Sequence, residues 1–229
     1  MKFLKAAKQF IMKYKHGAVL AYFFIYLIWF TYLEKHVTKF TPIHTKLDDL
    51  IPFCEVFIIP YFIWFLYIAV TVSYFLLTSK QDFLKCCANL FIGMTISLLI
   101  YTVWPNGHYL RVDLNSLGRD NIFIQMLSGI YTIDTATNVF PSIHVFNSVG
   151  AMIAINKSEK LHPIKWLQWG TFVLTVLICM STVFLKQHSI MDVMGALVLN
   201  FLLYAAIYFV PAKIKENHRA KQELSKVSQ

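Results

Sequence analysis

Four stretches of the chain contain no Asp, Glu, Lys or Arg: residues 17–33, 56–78, 86–104 and 166–185, each 17 to 23 residues long. A hydrocarbon layer about 30 Å thick is crossed by about 20 apolar residues of helix. Inside that layer no water is present to bond the backbone, so helix is the form such runs take. Two shorter apolar stretches, 141–156 and 193–210, reach spanning length by borrowing flanking residues. The expected fold is therefore all-α, a polytopic membrane bundle of six transmembrane helices. Composition agrees, at 57% hydrophobic and 14% charged residues, against roughly 45–50% and about 25% in a soluble domain. Neither a soluble globule nor a disordered chain carries so much apolar surface.

Charge orients the bundle. With six spans, fifteen of the 21 Lys and Arg fall on the side of both termini, and six (Lys35, Lys39, Lys46, Arg111, Arg119 and Lys186) fall on the other. Lys and Arg concentrate in cytoplasmic segments, so both termini are expected in the cytoplasm. The net charge of +9 reads as a topology signal and as contact with anionic lipid; no nucleic-acid recognition module accompanies it. No small-residue cleavage site follows Leu33, so the first span reads as retained. The connection 34–55 suits the membrane interface, and residues 121–133 read as a short amphipathic helix. Cys54, Cys86, Cys87 and Cys179 show neither disulfide-framework nor zinc-site spacing. Gly150 reads as a point of close helix packing.

The ionisable residues near the spans gather at their outer ends. Arg111 follows the third span, Ser142 and His144 open the fourth, and Lys186, His188 and Asp192 stand at the start of the sixth. One outward-facing pocket would collect them. His188 and Asp192 are four residues apart and share a helix face. A carboxylate bonded to one imidazole nitrogen fixes the tautomer and frees the other nitrogen as nucleophile or base. Alone, the pair also fits an interfacial His–Asp contact that satisfies only itself. Pro141 suits the first turn of a helix. The free amides of that turn and the Ser142 hydroxyl make an anion site, with His144 beside it to exchange a proton. Alone, this too is an ordinary helix start with a snorkelling histidine.

Taken together, Pro141-Ser142-x-His144 and Ser181-x6-His188-x3-Asp192 resemble the type 2 phosphatidic acid phosphatase superfamily, over roughly residues 86–210. The stretch STVFLKQHSIMDV is also similar to the branch containing inositol phosphorylceramide synthases. The resemblance implies that His188 attacks phosphorus and becomes a phosphohistidine, that Asp192 orients it, and that His144 protonates the leaving group. Ser142, Ser181 and helix-end amides would hold the phosphoryl oxygens. No metal and no cofactor are implied. Two departures bear on phosphate binding: Thr182 stands where the family has Arg, and the family's Lys-x6-Arg-Pro motif has no match. Arg111 is the first candidate for the missing cation, because a guanidinium binds phosphate bidentately, and Lys186 is the second. His108 reads as an interfacial loop residue. Asn147 and Ser148 read as lining the cleft or bonding between helices. Cys86 and Cys87 read as buried or interfacial thiols.

The implied organisation is a basic cytoplasmic segment at 1–16, two spans with an outer interfacial loop at 17–84, a catalytic core at 85–210 and a basic cytoplasmic tail at 211–229. The implied function is that of a multi-pass plasma-membrane enzyme whose site faces the extracytoplasmic side. It would hydrolyse the phosphate ester or diphosphate of a phospholipid or an isoprenoid phosphate. Three alternatives stay open at this point: transfer of the phospho-group to an alcohol, an inactive lipid-binding or transport relative, and one metal ion held by His144, His188 and Asp192.

Overall fold

The computed structural model describes residue 9, residues 12–214 and residues 216–217. Most of the expected basic N-terminal segment and tail lies outside the described residues. Within them, five helices are long and apolar enough to cross a membrane: Lys15–His36, Glu55–Thr78, Lys80–Val103, Lys165–Phe184 and Ile190–Ile214. The remaining apolar stretch forms Ile143–Lys157, a helix of 15 residues, which is about 22 Å long and shorter than a hydrocarbon core.

The first long helix is a 3₁₀ segment, Lys15–Ala21, running into α1 (Tyr22–His36). A short helix α2 (Lys46–Leu50) lies in the connection that follows α1. Then come α3 (Ile58–Thr78), α4 (Lys80–Val103), α5 (Ile122–Ile133), α6 (Ile143–Lys157), α7 (Lys165–Phe184) and α8 (Ile190–Tyr204), the last continuing as a π-helical stretch over Ala205–Phe209. Helix starts follow their caps. Ser79 opens α4 by accepting the Asp82 amide, and Asn121 opens α5 by accepting those of Phe123 and Ile124. The expected amphipathic segment is α5, which buries Ile124 and Leu127 and packs beside Ile58, Tyr61 and Leu185.

Helix α6 is the centre of the bundle and packs against α3, α4, α7 and α8. Val145, Phe146, Ala151, Ala154 and Ile155 are all buried along it. Its polar middle is bonded to its neighbours: Asn200 Nδ2 on α8 donates to the Phe146 carbonyl at 3.0 Å, and Thr175 Oγ1 on α7 donates to that of Ser148 at 3.4 Å. The surrounding helices turn large apolar side chains outward, among them Phe65, Leu66, Phe172, Val173, Phe201 and Leu202. An apolar outer face around a polar-containing centre is the arrangement a lipid solvent selects. All four cysteines are free thiols, and Cys86 and Cys87 are buried.

At the end of the bundle where α6 starts, the connections are stitched together. Strand β1 (Thr41–Pro42) pairs in parallel with β2 (Asn106–Gly107). Asn106 is fully buried, and its Oδ1 accepts the amides of Val139 and Phe140 at 3.0 and 2.8 Å. This fixes the chain entering α6. Pro141, expected inside the first helical turn, stands two residues before it. The helix starts at Ile143 with Ser142 as its cap, and the Phe140–Pro141 bond is cis. The Pro141 carbonyl is free of the helix ladder and accepts the Tyr101 hydroxyl at 2.6 Å.

Close packing around α6 depends on missing side chains. A Cβ on Gly93 of α4 would collide with the Phe146 ring, and one on Gly150 would lie 2.5 Å from the Asn89 amide. Gly93→Ala should therefore cost about 1–3 kcal/mol through overpacking. Thermal unfolding in detergent should show a lower midpoint for Gly93→Ala and none for Gly129→Ala, where nothing lies within 4 Å. Equal midpoints would mean that α4 and α6 are not packed this closely.

Candidate active site

The first turn of α8 builds one half of the site. Ser189 is its cap, and Asp192 reaches back so that Oδ2 accepts the Ser189 amide at 2.8 Å. The same oxygen lies 3.2 Å from His188 Nδ1. A carboxylate accepts only, so Nδ1 carries the proton and Nε2 keeps its lone pair. Asp192 is fully buried and His188 is 7% exposed. The backbone of the loop is fixed from α7: the amides of Gln187 and His188 both donate to the Thr182 carbonyl, at 2.9 and 3.0 Å. The connection at Lys186–Gln187 is this turn, with Lys186 at φ 54°.

The start of α6 builds the other half. Ser142 Oγ accepts the Val145 amide at 3.4 Å, and the Ser142 amide donates to the Asp192 carbonyl at 3.1 Å. The two helix starts are therefore bonded to each other. His144 lies against two rings of α3, with centroids 4.7 Å from Tyr61 and 4.4 Å from Trp64. Its own centroid is 5.8 Å from that of His188. His144, His188, Asp192 and Ser142 thus lie together at one end of the bundle.

The candidate cations and the second serine are placed differently from one another. Arg111 reaches the His188 loop, donating to Gln187 Oε1 at 2.5 Å and to the carbonyls of Tyr131 and Asp134 at 3.0 and 2.5 Å. Its guanidinium lies over the Tyr131 ring at 4.4 Å. Arg111 Nε and Gln187 Nε2 are buried and, among the described residues, have no partner. Lys186 turns the other way: its ammonium donates to the carbonyls of Asp48 and Ile51 at 2.7 and 2.6 Å. Burial lowers its pKa, against the pull of Asp48 and Asp49. The Ser181 hydroxyl is spent inside α7, on the Ile178 carbonyl at 2.6 Å.

Several residues at the site carried no signal in the sequence. Tyr61 donates to Asp134 Oδ2 at 3.1 Å. Burial raises the Asp134 carboxyl above the usual range, although His188 and Arg111 pull it back. His108 corrects the reading of an interfacial loop residue, because it is 1% exposed and its Nε2 donates to the Gln187 carbonyl at 2.7 Å. Its Nδ1 accepts the Leu110 amide at 3.2 Å, so both nitrogens are used by the neutral ring. Burial pushes its pKa down to about 4, while the bond to Gln187 works against the shift.

His108 thereby links stability to pH. Between pH 6.5 and about 4 the unfolded chain binds a proton at His108 that the folded chain does not, so stability falls as pH drops through that window. The full effect is about 3 kcal/mol. Unfolding midpoints of the parent and His108→Gln should converge as pH falls from 7 to 4, because the variant lacks this slope. Parallel curves would show that His108 is not held neutral.

The comparisons with known proteins can be set against this geometry. A family model described as the PAP2 superfamily matches residues 120–216. No curated protein and no solved structure matches the chain. The matched segment holds Ser142, His144, Ser181, His188 and Asp192, whereas Arg111, His108, Tyr61 and Trp64 precede it. Over residues 120–216, less than half of the chain, the sequence is similar to the PAP2 superfamily.

Proposed function

We propose that this protein is a membrane phosphatase that hydrolyses a lipid phosphate ester or diphosphate through a phosphohistidine on His188, without need of a metal ion. The superfamily match supports phosphatase or phosphotransferase chemistry in a membrane protein. The observation that carries the reading is the pair of imidazoles 5.8 Å apart, one of them with its Nδ1 turned to a buried carboxylate.

In the first step the His188 Nε2 lone pair attacks phosphorus and the bond from phosphorus to the leaving oxygen breaks. That oxygen takes its proton from His144. Asp192 offsets the positive charge that develops on the His188 ring. In the second step a water oxygen attacks phosphorus as its proton passes to His144. The phosphorus–nitrogen bond breaks, phosphate leaves and His188 is restored. The amide end of α6, the Ser142 hydroxyl, Arg111 Nε and Gln187 Nε2 are the donors proposed for the phosphoryl oxygens. The Lys and Arg distribution favours an extracytoplasmic site in a plasma membrane, with six spans and both termini inside.

A second reading, transfer of the phospho-group to an alcohol, is favoured by one observation. His144 is covered by Tyr61 and Trp64 of α3, which restricts water where the second step needs it and offers apolar surface to a larger acceptor.

Full-length protein in detergent, with chelator present, should release inorganic phosphate from at least one member of a lipid-phosphate panel. His188→Ala should lower that rate on the order of 10³-fold or more. Undiminished release would end the nucleophile assignment. If phosphate release is absent while labelled head groups move to added alcohols in a His188-dependent way, transfer is the reaction.

The facing of the site is tested separately. Tyr109 is 81% exposed at the outer end, and Lys160 is exposed at the opposite end. In whole cells an impermeant thiol reagent should label Tyr109→Cys and spare Lys160→Cys, both in a Cys54→Ser background. The reverse pattern would invert the orientation.

A further inference from the structure

We propose that Glu34 and Asp48, two carboxylates from the chain before the matched segment, are positioning residues that each hold one of the two histidine-bearing loops. The inference rests on the reading of His144 and His188 as the reacting pair.

Asp48 lies in α2 and is 2% exposed. Its Oδ1 accepts the Ile190 amide at 2.8 Å, and its Oδ2 accepts the Ser189 hydroxyl at 2.7 Å. The Thr45 amide and hydroxyl complete its shell at 2.7 and 3.0 Å. Burial works against the charge, but these donors outweigh it and hold the Asp48 carboxyl below its usual range. Bonds to a charged acceptor are about twice as strong as neutral ones, and a carboxylate at a helix N-terminus also meets its positive end. The Lys186 ammonium, bonded to the Asp48 and Ile51 carbonyls, closes the clamp from the other side of His188. The residues on both sides of His188 are therefore tied to α2.

The first amides of α8 are consequently occupied from within the chain. Ser189 donates to Asp192, Ile190 to Asp48, and Met191 to the Ser189 hydroxyl. This helix start holds a histidine in place, and the anion-binding role falls to α6.

Glu34, in the last turn of α1, does the same for the other loop. It accepts the Thr135 amide and hydroxyl at 2.7 and 2.6 Å and Asn138 Nδ2 at 2.6 Å. Asn138 has φ 58°, a left-handed conformation that Asn tolerates better than most residues. Three residues later the chain reaches Pro141 and then Ser142 and His144. A displacement of about 1 Å between reacting groups costs on the order of 100-fold in rate, so loops anchored on separate elements need such fixing.

The test uses full-length protein and two readouts. Orthovanadate, which forms a five-coordinate adduct on a nucleophile, probes the geometry around His188 without knowledge of the lipid. Initial rates on the best lipid phosphate then separate kcat from KM. Asp48→Asn and Glu34→Gln should each weaken vanadate binding by about tenfold or more and lower kcat by about 10- to 100-fold with KM little changed. Asp49→Asn is the control, because that side chain is 62% exposed and, among the described residues, its one ion pair is with His44; it should match the parent in both readouts. Should Asp48→Asn or Glu34→Gln not fold, Lys186→Met and Thr135→Val loosen the same clamps with smaller changes, and the same losses are expected. Parent-like values in the clamp variants, or a rise in KM alone, overturn the proposal. Parent-like vanadate binding by His188→Ala overturns instead the reading on which it rests.

Discussion

One carboxylate oxygen, Asp192 Oδ2, closes the first turn of α8 and also faces the imidazole of His188. Helix initiation and histidine orientation therefore share an atom. Water cannot substitute for that oxygen, because Asp192 and Ser189 are fully buried. Removing it would leave the Ser189 amide and His188 Nδ1 without an acceptor, at about 1–3 kcal/mol for each orphaned donor. The bond from the Ser142 amide to the Asp192 carbonyl extends the dependence to α6. Two helix starts that are far apart in the chain are registered by a single residue.

The surrounding architecture follows from where a membrane bundle can place polar groups. Long apolar helices tolerate them at their ends or inside the bundle. Helix α6 does both. It is enclosed by α3, α4, α7 and α8, so its length is set by the polar groups at its two ends and not by a lipid thickness. At one end stand Ser142 and His144; at the other the Ser158 hydroxyl donates to Asp82 Oδ2 at 2.9 Å. Enclosure also explains the rings on His144. An imidazole at the start of a buried helix must meet its neighbours, and α3 presents Tyr61 and Trp64 there.

What could be read before folding was local. Charge-free runs located the helices to within a few residues, as 56–78 against Glu55–Thr78 and 166–185 against Lys165–Phe184. The His188–Asp192 pair was legible from its four-residue spacing, although His188 stands one residue before the Ser189 cap of α8 and Asp192 reaches back to it. Its union with His144 was legible from their shared position at helix ends on one side and from the family resemblance. Other site residues depend on partners far along the chain: 73 residues separate Tyr61 from Asp134, 79 separate His108 from Gln187, and 141 separate Asp48 from Ser189. In sequence such residues look like the ordinary polar content of a span end or a connection. Lys186 shows the converse. It stands two residues before His188, yet its positive φ belongs to a turn whose lysine reaches the connection between α1 and α3.

The threonine at position 182 gains a physical meaning from the same geometry. It is fully buried, its hydroxyl returns to the Cys179 carbonyl at 2.8 Å, and its own carbonyl receives the amides of Gln187 and His188. A long cationic side chain at that point would have to leave a closed helix end. The guanidinium beside the His188 loop arrives instead from the connection after α4, as Arg111. Three acceptors hold it: the Tyr131 and Asp134 carbonyls and Gln187 Oε1. A charge delivered from another element is as strong as one delivered from the helix itself, provided that element is fixed. Here the Asn106 side chain, the β1–β2 pairing and the His108–Gln187 bond fix it. The departure from the family pattern and the dense bonding of the loops at this end are thus two sides of one constraint.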